Sequence, residues 1–119
     1  MLETAIVKDI TAKLAVFFKK TGYFWRNSNQ GVFKGNNKSG QARFAFHGEK
    51  GSSDILGLII AGGRSVAIEV KTEKAYKMKN HNLSENQVKF LERVDSLGGL
   101  AIVACSYDQV EQILLKAMA

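Results

Sequence analysis

Asp54-Ile-Leu-Gly-Leu-Ile-Ile-Ala-Gly-Gly-Arg-Ser-Val-Ala-Ile-Glu-Val-Lys71 decides how the rest of the chain is read. Two apolar runs of strand length flank a Gly-Gly pair, which is the pattern of a β-hairpin. Their near-continuous hydrophobicity predicts strands covered on both faces, at the centre of a sheet. With Gly62 and Gly63 as the turn, Ala61 faces Arg64, and counting outward sets Asp54 opposite Lys71. Opposed residues on antiparallel strands share a face. Asp54 and Glu69 then lie on a cross-strand diagonal, about 7–8 Å apart between backbones. A slip of one residue would send Asp54 to the opposite face.

Glu69 and Lys71 are two apart on a strand and so share a face. The spacing alone is weak, because in a chain of this composition an acid two before a lysine occurs roughly once by chance. The context is what matters. Charged side chains in an otherwise buried strand are costly without partners or a function. Asp54 and Glu69 offer oxygen ligands with no paired cysteine or histidine, a set suited to Mg²⁺ or Mn²⁺. Such an ion supports phosphodiester hydrolysis, and a lysine beside it can orient water and meet developing negative charge. An inert ion-pair network of Asp54, Glu69 and Lys71 is the competing reading, and the residues alone do not separate the two.

The flanking segments predict the remaining elements. Leu2 to Lys20 reads as a helix with Ile6, Ile10, Leu14, Phe17 and Phe18 on its buried stripe, stopped by Gly22. Glu3 lies on the side of Ile6, Val7 and Ile10, although acids also simply favour a helix N-terminus. Tyr23 to Asn27 and Gln41 to His47 read as strands joined by a hairpin loop over 30–40. Thr72 to Asn82 reads as a polar, basic loop. Ser84 opens a helix with Val88, Leu91, Val94 and Leu97 inward, and Ser84-x-x-Gln87 is a capping box. Gly98-Gly99 ends it, Leu100 to Cys105 reads as a buried strand, and a last helix runs from Tyr107 to Met118 through Val110, Ile113, Leu114 and Ala117. The order α-β-β-β-β-α-β-α predicts an α/β fold with helices on a mixed central sheet.

The 119 residues fit one domain, 1–119, with enough chain to bury a core. The single cysteine, Cys105, permits no internal disulfide and no cysteine metal cage, and is read as a small core residue. No segment is apolar for long enough to span a bilayer, and nothing at the N-terminus resembles a signal peptide, so a reducing cytoplasm is expected. The net charge is +6. Its basic residues gather in two stretches: Arg26, Lys34, Lys38, Arg43 and Lys50, then Lys71, Lys74, Lys77 and Lys79. Clustered cations suit a polyanion such as DNA, with solvated surface charge as the alternative. Lys50, Ser52 and Ser53 before Asp54 either bind phosphate or decorate a turn. Trp25, Phe24, Phe44 and Phe46 are read as core rather than as base-stacking platforms. His47 and His81 lack metal-ligand company, and no phosphate-cradling or dinucleotide glycine pattern is complete.

Gly51-Ser-Ser-Asp54-Ile-Leu-Gly57, Ala67-Ile-Glu69-Val-Lys71-Thr72, Leu83-Ser84 with Gln87, and Gly98-Gly99 before an apolar strand together resemble the VRR-NUC domain. That domain is a branch of the PD-(D/E)xK nuclease superfamily. The likeness covers nearly the whole chain; Ser53 stands where the superfamily name expects proline. The resemblance implies a restriction-endonuclease-like core and a Mg²⁺- or Mn²⁺-dependent DNA endonuclease without a small-molecule cofactor. It implies Asp54, Glu69, the main-chain carbonyl of Val70 and Glu3 as metal ligands, Lys71 as the residue assisting the attacking water, and Gln87 beside the site. Arg26, Arg43, Lys50, Ser52, Ser53, Lys74, Lys77 and Lys79 are the candidate DNA contacts. Stand-alone members resemble phage or bacterial nucleases acting on branched DNA such as four-way (Holliday) junctions. They resemble homodimers, and the expected setting is a bacterial host cell. A non-catalytic DNA-binding or interaction module on the same fold is the alternative.

Overall fold

The computed structural model describes residues 2–27 and 50–119, and the backbone alone of residues 31–36 and 42–46. Its elements are α1 (Glu3–Phe17), β1 (Gly22–Arg26), β2 (Gly31–Asn36), β3 (Ala42–Phe46), β4 (Ile55–Ile59) and β5 (Arg64–Val70). There follow a short α2 (Glu73–Tyr76), a 3₁₀ turn (Lys79–Asn82), α3 (Glu85–Ser96), β6 (Leu100–Ala104) and α4 (Tyr107–Met118). A four-stranded mixed sheet runs β1-β4-β5-β6, antiparallel except for the parallel β5–β6 pair, and β2–β3 form a separate antiparallel ribbon.

One face of the sheet carries the core. Ile55 and Ile59 of β4, Val66, Ile68 and Val70 of β5, and Ile102 and Ala104 of β6 meet Ile6, Val7, Ile10 and Leu14 of α1 and Val110 and Leu114 of α4. This is the period-2 and period-3.6 patterning of the sequence realised against itself. Phe24 joins the core by lying across Gly57, where its ring fills the space a Cβ would need. The other face of β5 and β6 is covered by α3, which presents Leu91 and the partly buried Val88 and Val94. Ser84 caps α3 by accepting from the Gln87 amide at 3.1 Å, while the Gln87 side chain accepts from the Ser84 amide at 2.9 Å.

Several expectations need correction. The Gly-Gly hairpin is wider than a two-residue turn. Ile59 pairs with Arg64, so residues 60–63 form the connection, with Gly62 and Gly63 at φ +78° and +70°. The register moves by two residues, and Asp54 falls opposite Glu69 rather than Lys71. An even shift keeps every side chain on its expected face. Of the two hairpin strands, β5 is covered on both sides, whereas β4 alternates, with Leu58 exposed on its outer face. The strand β2 lies in the segment read as a hairpin loop, and β1 pairs with β4 instead of the next strand. The segment 72–82 folds into α2 and the 3₁₀ turn, capped by the Thr72 hydroxyl. Phe17, Leu97 and Ile113 are exposed: α1 stops at Phe17, short of Lys20, and Leu97 sits past the last turn of α3, beside Gly98 at φ +92°. Cys105 is only partly buried. Of the aromatics read as core, Phe24 packs against it but Trp25 is exposed, and Phe44 and Phe46, like His47, lie as side chains outside the described residues.

Among the described residues no helix is long and apolar enough to cross a membrane.

Candidate metal and nucleic-acid site

The site forms where β4 begins and β5 ends, on the face of the sheet that α3 covers. The approach to β4 is fixed by Asn27, at the end of β1. Its amide donates to the Asp54 carbonyl at 2.8 Å, and its side-chain nitrogen donates to the Ser52 hydroxyl at 2.8 Å and the Ser53 carbonyl at 3.1 Å. Packing secures the other side of this approach: Gly51 has φ +82° and lies so close against Asn86 that a Cβ would sit 2.5 Å from its backbone. The segment 50–54 is thus clamped between β1 and the start of α3. Asn27 is not singled out by the sequence, where it reads only as the last residue of the strand Tyr23 to Asn27.

Asp54 turns one oxygen inward, where Oδ2 accepts from the Val70 amide at 2.7 Å. Glu69 is 2 % exposed, and its Oε1 has no hydrogen-bond partner. Burial pushes its carboxyl up to about 9, helped by a side-chain hydrogen bond with Asp54 and the Asp54 charge, and opposed by Lys71. Glu3, at the start of α1, keeps much of its surface in solvent. Its carboxyl is nevertheless raised, first by partial burial and then by Asp54, with Lys71 acting in the other direction. Three acids therefore act on one another around one lysine. Like charges this close disfavour full ionisation unless a cation joins them.

Lys71 is 8 % exposed. Its Nζ donates to the Gln87 side-chain oxygen at 3.1 Å and reaches the Asn82 carbonyl at 3.4 Å. The same Gln87 oxygen accepts from the Ser84 amide, so one atom caps α3 and holds the lysine.

The oxygen-only donor set and the unpartnered buried Glu69 Oε1 fit a hard divalent cation. The set is not closed into a cage: among the described residues no group of three histidine, cysteine, aspartate or glutamate side chains is arranged to hold a metal ion. Val70, whose carbonyl was the fourth expected ligand, lies between Glu69 and Lys71 with its amide taken by Asp54.

The candidate DNA contacts divide. Arg26, Lys50, Lys74, Lys77 and Lys79 are exposed, and Lys77 is paired with Glu73 at 2.8 Å. Ser53 is 0 % exposed, so its hydroxyl cannot meet a surface phosphate, and Ser52 is nearly buried against Asn27. The Arg43 side chain lies outside the described residues. His81 is held by the Tyr76 carbonyl at 2.7 Å and stacked on the Tyr76 ring, away from any metal role.

No protein-family model and no curated protein matches the chain. The likeness to VRR-NUC domains therefore rests on the motifs in the sequence itself.

Proposed function

We propose that the protein is a metal-dependent DNA endonuclease with a restriction-endonuclease-like core, of the VRR-NUC kind. The observation that carries this reading is the buried Glu69 carboxyl beside Asp54, with its Oε1 left without a hydrogen-bond partner, and with Lys71 held next to it by Gln87. A buried acid and a buried lysine at the end of a central strand are costly as mere structure. They are suited to a site where a cation and a phosphate complete the charge balance.

In this reading Glu69, Asp54, Glu3 and the Val70 carbonyl hold Mg²⁺ or Mn²⁺. The bound cation would acidify an attacking water and offset charge on the phosphate oxygens. Lys71 donates from Nζ, orienting that water and meeting the negative charge that develops as the phosphodiester opens. Gln87 fixes the direction of that donor. The exposed cations Arg26, Lys50, Lys74, Lys77 and Lys79 contact phosphates and set position rather than sequence preference. Branched DNA, four-way junctions included, is the proposed substrate, and a homodimer the proposed assembly, since two strands cut symmetrically want two sites about a two-fold axis.

Purified protein is expected to cleave a synthetic four-way junction or flap with Mn²⁺ and to stop with a chelator. Robust cleavage by the Glu69→Ala, Lys71→Ala double variant would sink the assignment. The engagement of Asp54 Oδ2 by the Val70 amide favours one competing reading, a DNA-binding module without catalysis. That reading predicts salt-sensitive binding and no metal-dependent cutting of any substrate.

A further inference from the structure

Among the described residues, the face that holds Asp54 and Glu69 is only half covered. Trp25 pairs with Leu56 and Tyr23 with Leu58, and these pair onward with Ala67 and Ser65. All four therefore point to the α3 side of the sheet. Among the described residues, α3 covers β5 and β6 and leaves the β1–β4 half exposed. Tyr23 is 70 % exposed, Leu58 42 % and Trp25 39 %, and the two rings lie 5.6 Å apart at 41°. Phe24, between them, faces the core. The Asn27–Asp54 hydrogen bond continues the β1–β4 ladder, which makes Trp25 the diagonal neighbour of Asp54, about 7–8 Å away between backbones.

On the same side of the sheet, Lys50 of the loop leading into β4 and the helix α3 enclose a groove of about 350 Å³, and among the described residues Lys50, Lys89 and Arg93 supply its charged side chains. The acids Glu92 and Asp95 of α3 do not line it, and Lys89 is paired with Glu85 at 3.0 Å, which leaves Lys50 and Arg93 as its cations without an ion pair among the described residues.

We propose that this open half-sheet is a platform on which unpaired DNA bases stack, with the α3 groove holding the strand's phosphates. The inference rests on the nuclease reading and narrows it: the preferred substrate carries unpaired nucleotides beside the scissile phosphate. Aromatic rings next to a cationic track are the shared device of single-strand binding, because every base has a π-face. Alternate residues of a strand put Tyr23 and Trp25 on one face, and with their rings 5.6 Å apart bases stack on the exposed ring surfaces rather than between them. Charge selects DNA over a second copy as the occupant. A two-fold interface through this face would bring two cationic grooves together.

Trp25 is the sole tryptophan, so its emission reports on the platform directly. The full chain, with chelator present, is titrated with labelled oligothymidylate, an abasic oligomer of equal length and a blunt duplex, following Trp25 emission and label anisotropy together. Oligothymidylate is expected to quench Trp25 saturably, and the abasic oligomer and the duplex to bind without quenching. The Tyr23→Ala, Trp25→Ala variant is expected to lose roughly tenfold or more in affinity for oligothymidylate while holding its duplex affinity, and Trp25→Phe to restore most of the loss. Oligothymidylate that binds by anisotropy with Trp25 emission unchanged overturns the platform and leaves the nuclease reading intact. Trp25 emission that follows protein concentration, with the double variant sedimenting as a smaller species, overturns it in favour of a second copy. No anisotropy change with any DNA, together with no metal-dependent cleavage, removes the nuclease reading and the platform with it.

Discussion

Glu69 concentrates the argument at the scale of single residues. Its carboxyl is raised to about 9 from an ordinary 4.5, with burial as the first cause. Below the ordinary value both folded and unfolded chains hold the proton, so the group's favourable contribution is fully present. As pH climbs from there to about 9 the unfolded chain releases the proton first, and the contribution is lost. Without divalent metal, melting temperature is therefore expected to fall across that window, and Glu69→Gln to flatten the fall. A Glu69→Gln profile parallel to that of the unmodified protein would contradict this. Mn²⁺ should reverse the trend, because a cation displaces the proton and binds more tightly as pH rises. Gln87 offers a second test, since one oxygen serves both helix and lysine. Ser84→Ala removes only the cap and should cost about 1 kcal/mol of stability with cleavage retained. Gln87→Ala should cost a similar amount and also lower kcat, here by roughly tenfold or more, as loss of a positioned donor does. Equal kcat in the two variants would reduce Gln87 to a cap. Asp54, Glu69 and Lys71 were legible because charge stands out in an apolar strand. The buried Ser53 hydroxyl and the Asn27 clamp were not, because small polar residues in a turn look alike until the chain closes around them.

Local patterning fixes each element well and its partners less well. The helices and strands of the core follow from apolar spacing, and the α3 cap was readable from Ser84 and Gln87 alone. The hairpin register was not, because a Gly-Gly pair suits a two-residue turn and also the end of a longer connection. What survived was parity: a shift of two residues leaves Asp54 on the face of Glu69. Strand β2 was missed because glycine and asparagine depress strand propensity, while the cross-strand pairing that offsets this is invisible locally. The observed connection makes its own prediction. Gly62 and Gly63 both have positive φ, and nothing lies within 4 Å of a Cβ added at either. Alanine at either position should therefore cost about 1–2 kcal/mol through backbone strain alone. Urea unfolding should show a lower midpoint with an unchanged slope, and a neutral result at both positions would place the turn elsewhere.

At the scale of the whole molecule, the +6 charge matters through where it sits. The sequence grouped the cations into an early stretch and the segment after Lys71. Folding adds a third set by bringing Lys50 from the loop before β4 beside Lys89 and Arg93 of α3. Chain order hid this set, because Lys50 and Arg93 lie far apart in sequence and α3 also carries acids that cancel its charge on paper. Helical spacing separates them: Asn86, Lys89, Phe90 and Arg93 share one side of α3, at i, i+3, i+4 and i+7. If the groove carries phosphates, each neutralised phosphate contributes about −0.9 to the slope of log affinity against log salt on duplex DNA, and about −0.7 on a single strand. Lys50→Ala with Arg93→Ala should then make the single-strand slope shallower by roughly 1.4 units. Lys77→Ala should change it less, since Glu73 already partners that lysine. Binding titrations across a salt series decide between the two. An unchanged slope in the Lys50, Arg93 double variant would mean that the DNA runs along the segment after Lys71, and that the α3 groove only borders it.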